Sequence, residues 1–251
     1  MARAFRTRLI FAAALLPLAL GVAACKKDAP TTAADATSAP VATVPPPAGK
    51  AWSDVVSTTP DGGYLMGNPN APIKLIEYGS LSCPHCAKLA KDGFQTLVGT
   101  YVASGRVSFE YRSFVIHGID VPLTLLAGCS GKEAFFPLVE QIYANQDDML
   151  NKAQAAGEQA EKAMALPENQ RFVAASDAQG LTAFFAQRGI SVDQAHMCLA
   201  DFAKATQVAK NAETYGAAGV DSTPTLFING SKIPGNTWDE LSAALQRAGA
   251  R

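Results

Sequence analysis

The tetrapeptide Cys83-Pro84-His85-Cys86 constrains this chain more than any other feature, because of what flanks it. Before it, Ile73-Lys74-Leu75-Ile76-Glu77-Tyr78 is a short, largely apolar run behind a GNPNAP loop, and predicts a central strand. After it, Leu89, Phe94, Leu97, Val98, Tyr101 and Val102 recur at helical spacing, and Val107–Tyr111 predicts a second strand. Strand, helix, strand in that order make a βαβ unit with parallel strands and a right-handed crossover. The cysteines therefore fall at the turn from strand to helix, with Cys83 at the helix start. There the unsatisfied N–H groups and the positive end of the helix dipole favour a thiolate. Pro84 suits the first turn, where the N–H it lacks would have had no intrahelical partner. His85 adds a donor or a positive charge beside the sulfur. Stabilising the thiolate relative to the disulfide makes the disulfide a stronger oxidant.

Beyond this unit the composition shifts. Residues 120–204 are rich in Ala, Leu, Gln and Phe, with helices predicted around 133–146, 167–175 and 177–187 and another opening at Ser191, whose spacing to Gln194 fits a capping box. Strands return at Thr225–Ile228, and Asn229-Gly230 is a hairpin turn into Ser231–Ile233. A last helix is capped by Thr237 with Glu240. The expected architecture is α/β: a β-α-β half and a β-β-α half around one sheet, split by a helical insertion. We assign 51–119 to the first half, 120–204 to the insertion and 205–251 to the second half.

The N-terminal segment bears on compartment. Arg3, Arg6 and Arg8 precede the apolar run Leu9–Ala24, too short for a comfortable membrane span and ending in small residues, which predicts an export signal over residues 1–24. Val22-Ala23-Ala24-Cys25 resembles a bacterial lipobox, in which Cys25 is lipidated and becomes the mature N-terminus; the alternative is an ordinary signal peptide with Cys25 incidental. Residues 26–50 hold five prolines and no aromatic residue, so 25–50 is expected to be a lipidated cysteine and a disordered tether. The expected location is the periplasm, anchored to a membrane through Cys25. Formal net charge is −1, and there is no basic cluster beyond Lys26-Lys27, so no nucleic-acid partner is expected.

EYGSLSCPHC (77–86), the helical insertion and VDSTPTLFING (220–230) together resemble the DsbA-type thioredoxin-fold proteins of the bacterial periplasm, over roughly residues 65–250. The resemblance implies a thiol:disulfide oxidoreductase that transfers its disulfide to reduced exported proteins, with a quinone-linked membrane protein to reoxidise it. That family supplies the reference example of a low-pKa, oxidising CxxC pair. By its motif Cys83 would be the exposed nucleophile, Cys86 the buried resolving thiol, and Thr223-Pro224 a cis-proline loop that faces the sulfurs and binds substrate backbone. Read without the family, Thr223-Pro224 is instead an ordinary trans turn, since cis bonds are a small minority of X–Pro bonds.

Glu77 stands in an otherwise apolar strand, where a buried carboxyl is costly unless it has a task. It occupies the family position of the acid beneath the active site, and its expected task is to manage the proton of Cys86; the alternative is a solvated charge at a strand end. Cys129 and Cys198 are expected to form a structural disulfide between two insertion helices, or else to pack as free thiols. His117 is read either as lining the active-site rim or as a loop histidine with no role, His196 as a packing or surface residue, and Phe135, Phe136, Phe184 and Phe185 as core.

Three other functions compete. Isomerase or reductase activity is the first, since a polar Thr223 beside the sulfurs can make the disulfide less oxidising. Against it, no dimerisation domain precedes residue 65, and a monomer is expected. Copper or zinc handling is the second, but Cys83, His85 and Cys86 are few ligands and only His117 could add a distal one. No metal or cofactor is expected. A non-catalytic peptide binder is the third, and would not need both cysteines.

Overall fold

The computed structural model describes residues 37–251. The leader, Cys25 and the tether as far as residue 36 lie outside the described residues. Two short strands, β1 (Val56–Thr58) and β2 (Tyr64–Gly67), precede β3 (Ile73–Gly79), α1 (Pro84–Thr96) and β4 (Val107–Ser113). Seven helices follow: α2 (Asp120–Ala127), α3 (Lys132–Ala144), α4 (Gln146–Ala155), α5 (Gly157–Ala163), α6 (Glu168–Ala178), α7 (Leu181–Ala186) and α8 (Val192–Ala200). The chain returns through α9 (Phe202–Ala217) to β5 (Thr225–Ile228), β6 (Ser231–Lys232) and α10 (Trp238–Arg247). The sheet runs β1-β2-β4-β3-β5-β6. Only β3 and β4, joined through α1, pair in parallel. This is a thioredoxin fold with a helical insertion between β4 and β5.

Register decides what lies under the helix. Ile73, Leu75 and Glu77 sit opposite Val107, Phe109 and Tyr111 of β4, and Glu77 also opposite Leu226 of β5. Alternation puts these side chains on one face of the sheet. α1 covers that face with Cys86, Leu89 and Gly93, at the three- and four-residue intervals of a helical stripe. The helix runs on into a π-helical stretch, Leu97–Val102, which buries Leu97, Tyr101 and Val102.

Several sequence expectations shift. β1 and β2 were not anticipated, nor was α2, all eight of whose residues are buried. The predicted helix 133–146 is α3 with the first residue of α4, interrupted at Asn145. The division expected between 175 and 177 falls at Gly180, which takes φ +75° where a residue with a Cβ would be strained. Thr237 and Glu240 make the reciprocal capping box, while Ser191 only accepts from the Gln194 N–H. Within the stretch read as tether, residues 38–44 run instead against the domain. Ser38 and Val41 donate backbone N–H groups to the Arg247 and Gly249 carbonyls, Val44 donates to Ser104, and Trp52 Nε1 donates to the Val44 carbonyl at 2.7 Å. Val41 packs on the core, which offsets the entropy of holding this arm.

Candidate active site

Cys83 is the N-cap of α1, extended at φ −85°, ψ 121°, with Pro84 in the first turn behind it. Both cysteines are thiols in this structure. The Thr223–Pro224 peptide is cis, as the motif implied, and brings the Thr223 carbonyl to the nucleophile: the Cys83 S–H donates to it at 3.3 Å. Cys83 is lowered from 9.0 to about 5. The largest cause is a hydrogen bond from the Cys86 thiol; the Thr223 side chain and the Cys86 and His85 N–H groups add to it, and together they outweigh burial. Cys86 moves the opposite way: burial comes first, then its bond to Cys83 and the charges of Glu77 and Cys83. One sulfur therefore holds its charge while the other keeps its proton.

One expectation needs correcting. Cys83 is 3 % exposed and Cys86 0 %, so the nucleophile is buried rather than exposed. The N-cap position and the Thr223–Pro224 loop enclose it. Pro84 and His85 are the exposed pair of the motif, and Thr223 is half-buried beside them.

The loop before the motif is anchored by residues that sequence reasoning passed over. Asp120, 1 % exposed at the start of α2, accepts from Ser80 Oγ, Ser82 Oγ and the N–H groups of Ser82, Ile116 and His117 at 2.9–3.1 Å. Ser82 Oγ also pairs with His117 Nδ1 at 2.9 Å. Gln146, buried at the first residue of α4, donates Nε2 to the carbonyls of Leu81 and Cys83 at 2.9 and 3.1 Å. The serines in GSLSC were a usable signal, because hydroxyls at a strand end ask for partners. Gln146 carried none.

Beneath Cys86 lies Glu77, 8 % exposed and without a side-chain hydrogen bond among the described residues. Burial pushes its carboxyl up to about 8, helped by the charges of Glu140 and Cys83. The buried Tyr111 and Tyr143 hydroxyls pair at 2.9 Å, and Tyr143 donates to the Ser80 carbonyl at 3.2 Å. Away from the site, Cys129 and Cys198 are bonded, with Cα atoms 5.9 Å apart, tying the turn after α2 to α8. His196 faces Asp177 at 2.9 Å; Phe135, Phe136 and Phe185 are core.

A family model described as thioredoxin matches residues 59–247. The chain belongs to the thioredoxin family. Among solved thioredoxin-family structures, a protein-disulfide isomerase from Novosphingobium aromaticivorans is 26 % identical, with a TM-score of 0.68 over 74 % of this chain and 96 % of that one. Wolbachia pipientis alpha-DsbA1 superposes with a TM-score of 0.59 over 74 % of this chain and 89 % of its own, at 20 % identity. A Rickettsia bellii protein bearing a protein-disulfide oxidoreductase name is 24 % identical over 75 % of this chain and 65 % of its own. The chain thus spans a little under two thirds of the rickettsial relatives it matches.

Proposed function

We propose that the protein is a thiol:disulfide oxidoreductase that donates a Cys83–Cys86 disulfide to reduced exported proteins. The observation that carries this is the opposed pair of sulfurs: a nucleophile at a helix N-cap held near its thiolate, backed by a buried thiol that keeps its proton. In the donating direction, a substrate thiolate attacks Cys83 Sγ, the intramolecular S–S bond breaks, and the Cys86 sulfur leaves with the electron pair and takes up a proton. A second substrate thiolate attacks the substrate sulfur of the mixed disulfide and expels Cys83 as a thiolate. A thiolate of low pKa leaves fast, which favours this direction. Glu77 is the residue that exchanges a proton with Cys86, and the cis Thr223–Pro224 loop is the substrate backbone site. In this reading the protein works in the periplasm, held to a membrane through Cys25, and is reoxidised by a quinone-linked membrane protein.

A second reading, disulfide isomerisation, has one observation in its favour. Thr223, the residue before the cis proline, is polar and lies against Cys83, the position where a polar residue is expected to make the disulfide less oxidising. Two substrates separate the readings. The oxidised protein is given a reduced, unfolded secretory protein, and the reduced protein a scrambled one. Stoichiometric disulfide transfer to the first, with slow rescue of the second, supports the donor; the reverse pattern contradicts it. Cys83→Ser abolishes both activities.

A further inference from the structure

We propose that Glu140 is a proton-relay residue for the Cys83–Cys86 couple, joining Glu77 to solvent through a cavity of one-water size. This rests on the exchange reading above. The cavity measures about 20 Å³ and is bounded by both carboxyl-bearing residues, by Tyr111 and Tyr143, and by apolar walls including Leu89, Phe109 and Trp238. That is room for one water, which needs two to four polar partners, and Glu77, Glu140, Tyr111 and Tyr143 are the polar residues of its wall. Glu140 Oε1 is buried and has no hydrogen-bond partner among the described residues, an arrangement that calls for a use. Glu140, Ala90 and Tyr143 also line a much larger open groove between α1 and the start of α4. Glu140 therefore borders both the small cavity that Glu77 lines and the larger groove.

The charges around it fit a relay. On the inner side the groups facing Glu140 across the cavity are Glu77 of β3, Tyr111 of β4 and Tyr143 of its own helix. No lysine, arginine or histidine lines the cavity. On the groove side stand Lys88, Lys91 and Asp92 of α1 and Asp147 and Asp148 of α4. Two carboxyls in a low-dielectric space without a counter-cation ionise one at a time. Burial pushes Glu140 up to about 7, just below Glu77 at about 8, so near neutrality a proton moves between them at little cost.

The step balances. When the Cys83–Cys86 bond breaks, the Cys86 sulfur is reduced and the attacking thiolate is oxidised. Cys86 takes its proton from the Glu77 carboxyl. Glu77 regains one from Glu140 through the water, and Glu140 from the groove. Resolution of a Cys83 mixed disulfide by Cys86 runs the same chain outward.

The test is the pH dependence of that intramolecular step. The reduced full-length protein is mixed with oxidised glutathione, and decay of its Cys83–glutathione adduct is followed from pH 5 to 9. The expected wild-type profile inflects between about pH 7 and 8. Glu140→Gln is expected to slow the step about tenfold at neutral pH and to move the inflection down, since the charge that raises Glu77 is gone. Glu140→Asp, which keeps an ionisable group, restores most of the rate. A purely structural role would alter stability without moving the inflection. A Glu140→Gln protein with wild-type rate and profile overturns the relay while leaving exchange intact. A wild-type protein that forms no adduct overturns both.

Discussion

Cys83 and Glu77 sit on either side of Cys86 and titrate in opposite senses, so reduced-state stability should carry two opposed pH terms. A thiol lowered from 9.0 to about 5 stabilises the reduced fold above the ordinary thiol range, and that stability is lost as pH falls through about 5. A carboxyl raised from 4.5 to about 8 contributes most below its ordinary value, and its contribution is lost as pH rises through about 8. Removing the charge at 77 should therefore help on the alkaline side. Glu77→Gln is expected to gain on the order of 2 kcal/mol at pH 9, read by denaturant unfolding of the reduced protein. An equal or lower stability there would mean that Glu77 is hydrated. Both residues were legible in the sequence, because a CxxC at a strand–helix turn and an acid inside an apolar strand are local signals. Glu140 was not: nothing near it distinguishes it, and its closeness to Glu77 comes from packing α3 on the sheet.

The helix α1 carries the motif and depends on α10 for its position. Gly93 lies in its middle, where glycine is unfavourable for a helix, yet a Cβ there would fall inside the Trp238 ring. Gly93→Ala should therefore destabilise by about 1–3 kcal/mol despite its better helix propensity, seen as a lower melting temperature. Adding Trp238→Leu should recover part of the loss; full stability in the single variant would show that Trp238 yields freely. The stripe on α1 was readable because one face is polar. α2 was not, since a helix buried on every side shows no period, and β1 and β2 are three and four residues long, below what alternation can reveal. Asn145 and Gly180 divide helices whose sequence periodicity runs nearly continuous across them.

Across the molecule, the sheet supplies Glu77 and Tyr111 while the insertion supplies Asp120, Glu140, Tyr143 and Gln146, so the site is complete only when the insertion is docked. The Cys129–Cys198 bond, spanning 69 positions, holds α8 to the turn after α2. Closing a loop of that size is worth about 4 kcal/mol in the chain-entropy account. A Cys129→Ala, Cys198→Ala protein should lose stability on that scale while its remaining sulfurs still exchange with glutathione, as thiol counting and adduct formation would show. Undiminished stability would mean that core packing alone holds the insertion. The two halves and the insertion could be placed from sequence because turn and cap signals bound them; the docking of the N-terminal arm through Val41 and Trp52 could not, since its composition reads as a tether. The central claim is that the fold stabilises the reduced couple by holding Cys83 as a thiolate. It is tested most directly by equilibrating the full-length protein with a gradient of reduced and oxidised glutathione. A Cys83–Cys86 potential well above that of the glutathione pool is the predicted result. A potential at or below the pool would contradict the account, showing that the donors gathered at Cys83 do not set the potential.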